Sequence, residues 1–409
     1  MLPSVDFTQI DESLRAPARR VLAEIDESEV ARLLSDLVRT DTVNPPGDVR
    51  AAFKICEATL AGAGFVCRSV DIDPAKPNLI AEIGVDGPVL CFNAHLDTVP
   101  VGERSDWVHD PFGAEIADGR IYGRGAGDDK ASVVAQVIAG LALARSRVPF
   151  KGRLVITEVA DEEIGGEAGA IQLFEQGGIK PDWVIVGEQT LGRVCIGEKG
   201  GAACRIHVRG RGAHASMPWL GANAVEAMAE IVVALKRDLF PRLAERTHPL
   251  YHPSIGAVTT ISGGVKENII PESCTAYIDR RLVPGEDPEE CRIEIDQIVQ
   301  ATISAMPGIT ADVVFDGEAW AASATDVDSP VVQAMVQANK TLGFDPELAG
   351  FSAMSDGRYF TARGFPTIVY GPGDIKIAHI ADEWVGIDEV VSAARAYALA
   401  AVILLASAG

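Results

Sequence analysis

Histidine, aspartate and glutamate residues recur at five places along the chain, most of them directly after an apolar run. They are His95 with Asp97, Asp128, Asp161-Glu162-Glu163, Glu188 and His379. Imidazole nitrogens and carboxylate oxygens, with no thiolate, are ligands that suit zinc, manganese or cobalt. The carboxylates exceed the needs of one ion, which indicates a two-metal hydrolytic centre with one acid left as a base. The chain is therefore predicted to be a metallohydrolase.

Four short apolar runs lead into most of these side chains or into a glycine turn. Residues 89–94 precede His95, 154–160 precede Asp161, 183–187 precede Glu188, and 367–370 precede the turn at 371–373. Helical patterns such as residues 130–144 separate the runs, which predicts an α/β fold with a mostly parallel sheet and helices on both faces. Ligands collect at the carboxyl ends of strands in such sheets. Residues distant in sequence are therefore expected to meet in one crevice.

The middle of the chain follows a different pattern. Residues 204–209, 254–262, 272–283 and 309–315 are predicted strands, and 223–236 and 287–304 are predicted helices. Asp287-Pro288 supplies an N-cap followed by proline at the first helical position. The order β-α-β-β-α-β is that of a ferredoxin-like unit. We therefore expect an inserted α+β domain, residues 200–316, within a catalytic domain formed by residues 1–199 and 317–409.

Length and composition narrow the function further. A chain of 409 residues exceeds the size at which single cores stop growing, so two domains are expected. A formal net charge of -22 argues against nucleic acid and anionic membrane surfaces as partners. The seven cysteines form no C-x-x-C pair and residues 1–20 contain no apolar signal segment. A cytoplasmic protein with reduced cysteines is therefore expected.

Each motif also has a plainer explanation. The pair His95 and Asp97 could be a capped turn, residues 122–130 a glycine loop with an acidic N-cap, and residues 161–163 a solvated acidic turn. Delivery of these residues to one sheet edge by buried strands favours a metal site instead. In an extended segment neighbouring side chains point to opposite sides. Glu162 and Glu163 are therefore expected to divide two tasks, one binding metal and the other polarising water.

A series of motifs in a fixed order resembles one family of zinc-dependent hydrolases. They are His95-Leu96-Asp97-Thr98-Val99-Pro100, Asp118-Gly119-Arg120-Ile121-Tyr122-Gly123-Arg124-Gly125, Asp161-Glu162-Glu163, Gly187-Glu188, His214-Ala215-Ser216-Met217-Pro218, Gly221-Ala222-Asn223-Ala224, Asn268-Ile269-Ile270-Pro271 and Arg281-Leu282-Val283-Pro284-Gly285. The family includes acetylornithine deacetylase, succinyl-diaminopimelate desuccinylase, glutamate carboxypeptidase and aminoacylases. The resemblance extends over residues 89–384.

The resemblance implies a catalytic domain with two divalent metal ions, zinc in the first place and cobalt or manganese as alternatives. The metal ligands would be shared out between two sites, with Asp128 bridging them. His95 and Glu188 would complete one site, and Glu163 and His379 the other. Asp97 would orient His95, and Glu162 would act as the general base.

The inserted domain is implied to serve as lid and dimer interface. His214 would steady the oxyanion of the reaction, and Asn268 and Arg281 would contact the substrate. A guanidinium suits a carboxylate because it can bind both oxygens. An ion pair with Asp279 or Glu286 is the plainer role for Arg281.

The expected function is hydrolysis of an N-acyl amino acid to a carboxylate and a free amine. The alternatives are a dipeptidase, a carboxypeptidase or an N-carbamoyl amidohydrolase of the same family, and a non-catalytic metal-binding protein. Asp129-Lys130-Ala131 resembles the dipeptidase branch, whereas Glu188-Gln189-Thr190 resembles the deacylase branch. The expected partners are a small-molecule substrate and a second copy of the chain, with no nucleic acid and no membrane.

Overall fold

The computed structural model describes residues 4–406. The helices of this part of the chain are α1 Glu12–Leu22, α2 Glu27–Val38, α3 Arg50–Gly62, α4 Lys130–Ser146, α5 Ala170–Glu175, α6 Ala224–Ala234, α7 Phe240–Leu243, α8 Pro288–Ile303, α9 Pro330–Leu342, α10 Gly357–Thr361 and α11 Ile387–Leu405. None of these helices is both long enough and apolar enough to cross a membrane.

The strands follow in chain order. They are β1 Val66–Val70, β2 Asn78–Gly84, β3 Val89–His95, β4 Glu115–Ala117, β5 Arg120–Tyr122, β6 Arg153–Val159, β7 Trp183–Val186, β8 Val194–Glu198, β9 Gly200–Gly201, β10 Cys204–Arg209, β11 Ala213–His214, β12 Ile255–Gly263, β13 Ile269–Ile270, β14 Ser273–Leu282, β15 Thr310–Phe315, β16 Leu348–Phe351, β17 Thr367–Val369 and β18 Trp384–Gly386. The four apolar runs predicted as buried strands, at residues 89–94, 154–160, 183–187 and 367–370, correspond to β3, β6, β7 and β17.

Two compact units make up the described chain. The first contains the described residues up to Gly197, from Thr325 to Phe351, and from Ser355 onward. The second contains residues 198–324 and 352–354. The sequence placed the junctions at 199/200 and 316/317, whereas the limits between the compact units lie at 197/198 and 324/325. That the first unit is catalytic and the second a lid and dimer interface remains a prediction.

Eight strands of the first unit form its central sheet, in the order β1-β2-β6-β3-β7-β17-β8-β16. The four central strands, β6, β3, β7 and β17, run parallel. Outside them, β1, β2 and β8 pair with their neighbours in antiparallel fashion. The parallel arrangement predicted from the apolar runs therefore holds at the centre, and the outer strands make the sheet mixed.

Helices cover both faces of this sheet, as predicted. Phe92 and Ile156 are register partners on β3 and β6 and point to the same face. The ring of Phe92 packs edge-on against Tyr397 of α11, with centroids 5.0 Å apart. Ile80 of β2 pairs with Thr157 of β6, the residue after Ile156, and therefore points to the opposite face. There it lies against the turn at Gly177 that follows α5. Burial on both faces explains the continuous apolar sequence of the central strands.

The second unit is the predicted ferredoxin-like domain. Its chain order is β10, α6, β12, β14, α8 and β15, and its antiparallel sheet has the order β12-β14-β10-β15, with β9 also paired to β14. Ile206 and Ile278 on the sheet pack with Ile231 of α6 and Ile295 of α8 in one buried core. This core is separate from that of the first unit, so the domain has its own source of stability.

Side-chain caps begin the two longer helices of this second domain, α6 and α8. The Asp287 carboxylate accepts hydrogen bonds from the main-chain N–H groups of Glu289 and Glu290, and Pro288 is the first helical residue. Asn223 caps α6 in the same way. The caps satisfy N–H groups that have no partner within the helix. The predicted start of α8 at Asp287-Pro288 is thereby confirmed.

The carboxyl ends of β7 and β17 approach the start of α4 too closely for any side chain. A Cβ on Gly187 would stand 2.4 Å from Cβ of Ser132, and one on Gly371 would stand 2.5 Å from the carbonyl oxygen of Glu188. Glycine is required at both positions because only a residue without Cβ fits this close approach. The two glycines therefore set the position of Glu188.

We predict that Gly187→Ala destabilises the protein, by about 1–3 kcal/mol, because the added methyl group overpacks the contact with Ser132. The matched control is Gly62→Ala at the end of α3, where an added Cβ would have no neighbour within 4 Å. Urea unfolding of the two variants is the measurement. Equal midpoints for Gly187→Ala and the unsubstituted protein would contradict the prediction.

Candidate metal centre

Seven side chains predicted from the sequence come together where the parallel strands of the first unit end. His95 closes β3 and Asp97 follows it, Glu162 and Glu163 follow β6, Glu188 follows β7, Asp128 lies two residues before α4, and His379 lies between β17 and β18. Parallel strands bring their carboxyl ends to one edge, which is why segments far apart in sequence meet here.

Asp128 lies at the middle of this cluster. Its Oδ1 is 3.2 Å from Nε2 of His95, and its Oδ2 is 3.0 Å from Nε2 of His379. Two groups of ligand atoms therefore share it: His95, Asp128 and Glu188 form one, and Asp128, Glu163 and His379 form the other. Within each group the ligand atoms lie within 4.8 Å of one another. This arrangement can hold two cations with one carboxylate between them.

The main chain around Asp128 is held by a buried ion pair that sequence analysis missed. Oε1 of Glu383 accepts hydrogen bonds from the N–H groups of Gly127, at 2.9 Å, and Asp128, at 3.0 Å. Oε2 of Glu383 lies 2.5 Å from Nη1 of Arg124. Arg124 lies inside a recognised motif, but no spacing links position 124 to position 383. Only the fold shows that they are partners.

Asp97 connects three parts of the centre. Nδ1 of His95 is 3.0 Å from the main-chain oxygen of Asp97 and 3.6 Å from its Oδ1, so the closer acceptor is the carbonyl rather than the expected carboxylate. The carboxylate instead accepts from the N–H groups of Glu162 and Glu163, at 3.2 and 3.3 Å, and from Nδ2 of Asn44, at 2.8 Å. Asp97 thus holds the turn that carries both glutamates. Asn44 was missed because Asn-Pro-Pro-Gly indicates only a turn.

The two glutamates are separated by a turn and not by strand alternation. Asp161 has a left-handed φ of 69°, and Glu162–Ile164 form one turn of 3-10 helix, so the predicted extended conformation is wrong. Oε2 of Glu163 lies 3.5 Å from Nε2 of His379. Oε1 of Glu162 lies 3.1 Å from Nη1 of Arg358, a second partner that the sequence did not reveal. The side chains have different partners, as the expected division of tasks requires.

Burial of so many acids dominates the electrostatics. It raises the pKa of Glu188 well above its ordinary value and raises the pKa of Glu163 to about 7, and the neighbouring Asp128 adds to both shifts. Burial alone would also raise the pKa of Asp128, but the two adjacent histidines lower it. Hydrogen bonds to Asp128 and Glu163 raise the pKa of His379 to about 10. The cluster therefore attracts positive charge strongly.

Divalent cations fit this donor set. Imidazole nitrogens with carboxylate oxygens are the ligands that zinc, cobalt and manganese share. The Glu188 side chain is buried, and no residue in the described range donates a hydrogen bond to its carboxylate. An unpaired buried carboxylate is costly, and a bound cation removes that cost.

Three further residues named by the sequence belong to the second unit. His214 pairs with Ile269 across β11 and β13, and its Nδ1 is 2.7 Å from Oγ of Ser216. Asn268 lies beside this pair. Arg281 forms the ion pair with Asp279 that was its plainer role, with Nε 2.9 Å from Oδ1. The oxyanion and substrate roles of His214, Asn268 and Arg281 stay predictions.

Similarity to known proteins identifies this chain as a hydrolase that acts on amide bonds. Residues 91–402 match peptidase family M20/M25/M40, and the chain belongs to that family. A succinyl-diaminopimelate desuccinylase of Caulobacter vibrioides is 32% identical over 389 residues, which cover 92% of this chain and 95% of the relative.

Solved structures of the family share the fold. An aminopeptidase of Bacillus cereus ATCC 10987 superposes with a TM-score of 0.77 at 21% identity, covering 93% of this chain and 100% of the other. A dinuclear metal binding peptidase of the M20 family from Bacillus subtilis gives a TM-score of 0.70 at 17% identity, covering 93% of this chain and 99% of the other.

Metal binding is predicted to weaken as pH falls. Ligation needs a neutral His379 and an ionised Glu163, whereas their pKa values without metal are about 10 and about 7. Each proton that must leave costs about tenfold in affinity per pH unit below its pKa. Titration of metal-free protein with zinc from about pH 8 to about pH 6 should therefore show a loss of about three orders of magnitude, about two from His379 and about one from Glu163. Affinity that stays constant across this range would contradict the assignment.

Proposed function

We propose that this protein hydrolyses N-acyl amino acids, with N-succinyl amino acids as the first substrates to test, and that two zinc ions bind around Asp128. The observation that carries the proposal is the carboxylate of Asp128, which offers one oxygen toward His95 and the other toward His379. The desuccinylase activity of the relative that is 32% identical supports the choice of acyl group.

His95, Asp128 and Glu188 would hold one ion, and Asp128, Glu163 and His379 the other. Two divalent ions bound there would lower the pKa of a bound water molecule and polarise the carbonyl of the substrate. Zinc is proposed because the ligands are nitrogen and oxygen atoms in small sets of three. Cobalt and manganese accept the same donors and are expected to replace it in vitro.

Glu162 is proposed as the general base. It would take a proton from the attacking water and then give it to the nitrogen of the amide as the C–N bond breaks. The products are the carboxylate of the acyl group and a free amine. Asp97 supports this role because its carboxylate binds the N–H of Glu162 and so fixes the turn.

The second unit is proposed to supply the remaining contacts. His214 would donate a hydrogen bond to the developing oxyanion, a contribution of about 3 kcal/mol in comparable sites. Asn268 and Arg281 would bind the substrate, and Arg281 would then exchange Asp279 for a substrate carboxylate. These three roles rest on the resemblance of their motifs to the family.

The residues that suggested a dipeptidase are poor indicators of substrate. Asp129 and Lys130 are fully buried, and Nζ of Lys130 donates a hydrogen bond to the carbonyl of Thr40 at 2.9 Å. Side chains enclosed in the interior do not contact the substrate directly. Dipeptide, carboxypeptidase and N-carbamoyl substrates remain the alternatives, and they belong in the same assay.

The cysteines support the proposed cytoplasmic location. All seven are free, and all except Cys67 are buried. Reduced, buried thiols are typical of proteins from a reducing compartment. Recovery of the native protein from a secreted or periplasmic fraction would contradict this location.

A homodimer through the second unit is also proposed. Strand β12 is an edge of its sheet and exposes Ile255 and Ile261, with 52% and 54% of their surface accessible. Exposed apolar edge strands are usually covered. Ile261→Lys should therefore yield monomers in analytical ultracentrifugation, whereas Val314→Lys on the opposite edge strand, β15, should leave the dimer intact. A monomeric unsubstituted protein would disprove the proposal.

The decisive experiment for the function measures amine release from N-succinyl, N-acetyl, N-carbamoyl and dipeptide substrates, with added zinc and with a chelator. Glu162→Gln is expected to keep the metal content and to lose turnover by about 10²–10⁴-fold, since only proton transfer is removed. Glu167→Gln is the matched control, because Glu167 is an exposed glutamate of the same loop.

The outcomes separate the candidate functions. Chelator-sensitive amine release from the succinyl or acetyl substrates would support the proposed deacylase function. Release from dipeptides alone would indicate that the enzyme is a dipeptidase instead. Full activity in Glu162→Gln, or release that a chelator leaves unchanged, would contradict the proposed chemistry.

A further inference from the structure

We propose that Arg358 is a positioning residue that holds the Glu162 carboxylate in the orientation from which it exchanges protons. The inference rests on the proposed role of Glu162 as general base. It concerns a residue on α10, almost 200 positions away along the chain, that no motif in the sequence connects with the centre.

The contact between the two side chains is short and shielded from water. Nη1 of Arg358 lies 3.1 Å from Oε1 of Glu162, and the two side chains are 7% and 12% exposed. None of the described residues donates a hydrogen bond to Oε2 of Glu162. One oxygen is therefore fixed by the guanidinium, and the other is left to accept and return a proton. A general base needs this combination of fixed direction and one available oxygen.

Arg358 is itself held in place. Its Nη1 donates to the carbonyl of Ser355 at 2.8 Å, and its Nη2 donates to the hydroxyl of Tyr359 at 3.4 Å. The hydroxyl of Tyr359 in turn donates a hydrogen bond to the carbonyl of Gly165. Gly165 ends the 3-10 turn on which Glu162 lies. Helix α10 and this turn are therefore joined at two points, which fixes the arginine relative to the base.

Two other roles for Arg358 fit the structure less well. Asp356 is a buried acid nearby, but neither of its carboxylate oxygens has a hydrogen-bond partner in the described part of the chain, so it does not accept from the guanidinium. A substrate carboxylate would need open donors, whereas Arg358 is 7% exposed and already binds Glu162, Ser355 and Tyr359. The geometry therefore directs the arginine to Glu162.

Loss of this contact should lower the rate of the chemical step and leave substrate binding alone. Misplacement of a reacting group by about 1 Å costs about 10²-fold in rate. We expect kcat to fall about 10–100-fold in Arg358→Met, with KM changed less than about twofold and metal content unchanged. Arg358→Lys keeps the charge in a shorter, non-planar group and should recover part of the loss.

The matched control is Arg363→Met. Arg363 is an exposed arginine five residues further on, whose Nη1 binds the carbonyl of Tyr359 and whose guanidinium stacks on Phe174. It lies just after the end of α10 and contacts Tyr359, but no hydrogen bond or ion pair joins it to Glu162. An equal loss of kcat in Arg363→Met, or a loss in Arg358→Met that is confined to KM, would overturn the positioning role.

A kinetic double-mutant cycle with the holoenzyme tests whether Arg358 acts through Glu162. Glu162→Asp keeps the carboxylate but withdraws it from the guanidinium, so Arg358→Lys should lower kcat far less in that background than alone. Equal losses in both backgrounds would overturn the inference while leaving Glu162 as the base. Full activity in Glu162→Gln would instead overturn the proposed function.

Urea unfolding provides a test that needs no substrate. If the ion pair exists in the folded protein, the midpoint shifts of Arg358→Met and Glu162→Gln are not additive in the double variant. Arg358→Lys serves as the second variant where Arg358→Met does not fold. Strictly additive shifts would show that the two side chains do not interact, and the inference would fail whichever substrate the enzyme uses.

Discussion

Burial of several carboxylates at one end of the parallel sheet is the constraint on which this structure depends. An isolated buried charge is very costly, so each acid needs a cation or a set of donors if it is to stay ionised. The chain supplies cations to some of them: Lys76 to Asp161, Arg124 to Glu383 and Arg358 to Glu162. Asp128, Glu163 and Glu188 are left with two histidines between them. These are the positions at which external cations are most stabilising.

The same acids also organise the loops that carry them. Glu383 binds main-chain N–H groups ahead of α4, and Asp97 binds those of the turn at residues 162 and 163. Loops tied by charged acceptors to a rigid sheet can present ligands with little reorganisation. Arg358 restrains a side chain in the same way, because it binds the carboxylate of Glu162 directly. The centre is therefore organised mainly by ion pairs and hydrogen bonds to the main chain, on a packed α/β core.

The architecture was predictable in unusual detail because its signals are local. Buried strands need continuous apolar sequence, so β3 and β6 began and ended within about one residue of the predicted runs. Residues 204–209 alternate because one face of β10 packs on helices, and the predicted and observed strands coincide. The 3-10 turn after β6 was missed, since the left-handed φ at Asp161 depends on contacts with Lys76 and Asn44 that lie far away in sequence.

The sequence by itself determined the central parallel strands, the elements of the inserted domain with their order, and the chemistry of the donors, because periodicity and residue type are properties of neighbouring positions. The tertiary structure alone decided which donors meet. Asp128 stands between His95 and His379, Glu383 reaches Arg124, and Arg358 reaches Glu162 only because the sheet brings distant loops to one edge. Ion pairs between such loops leave no periodic trace in the chain, since their partners are related by packing and not by spacing.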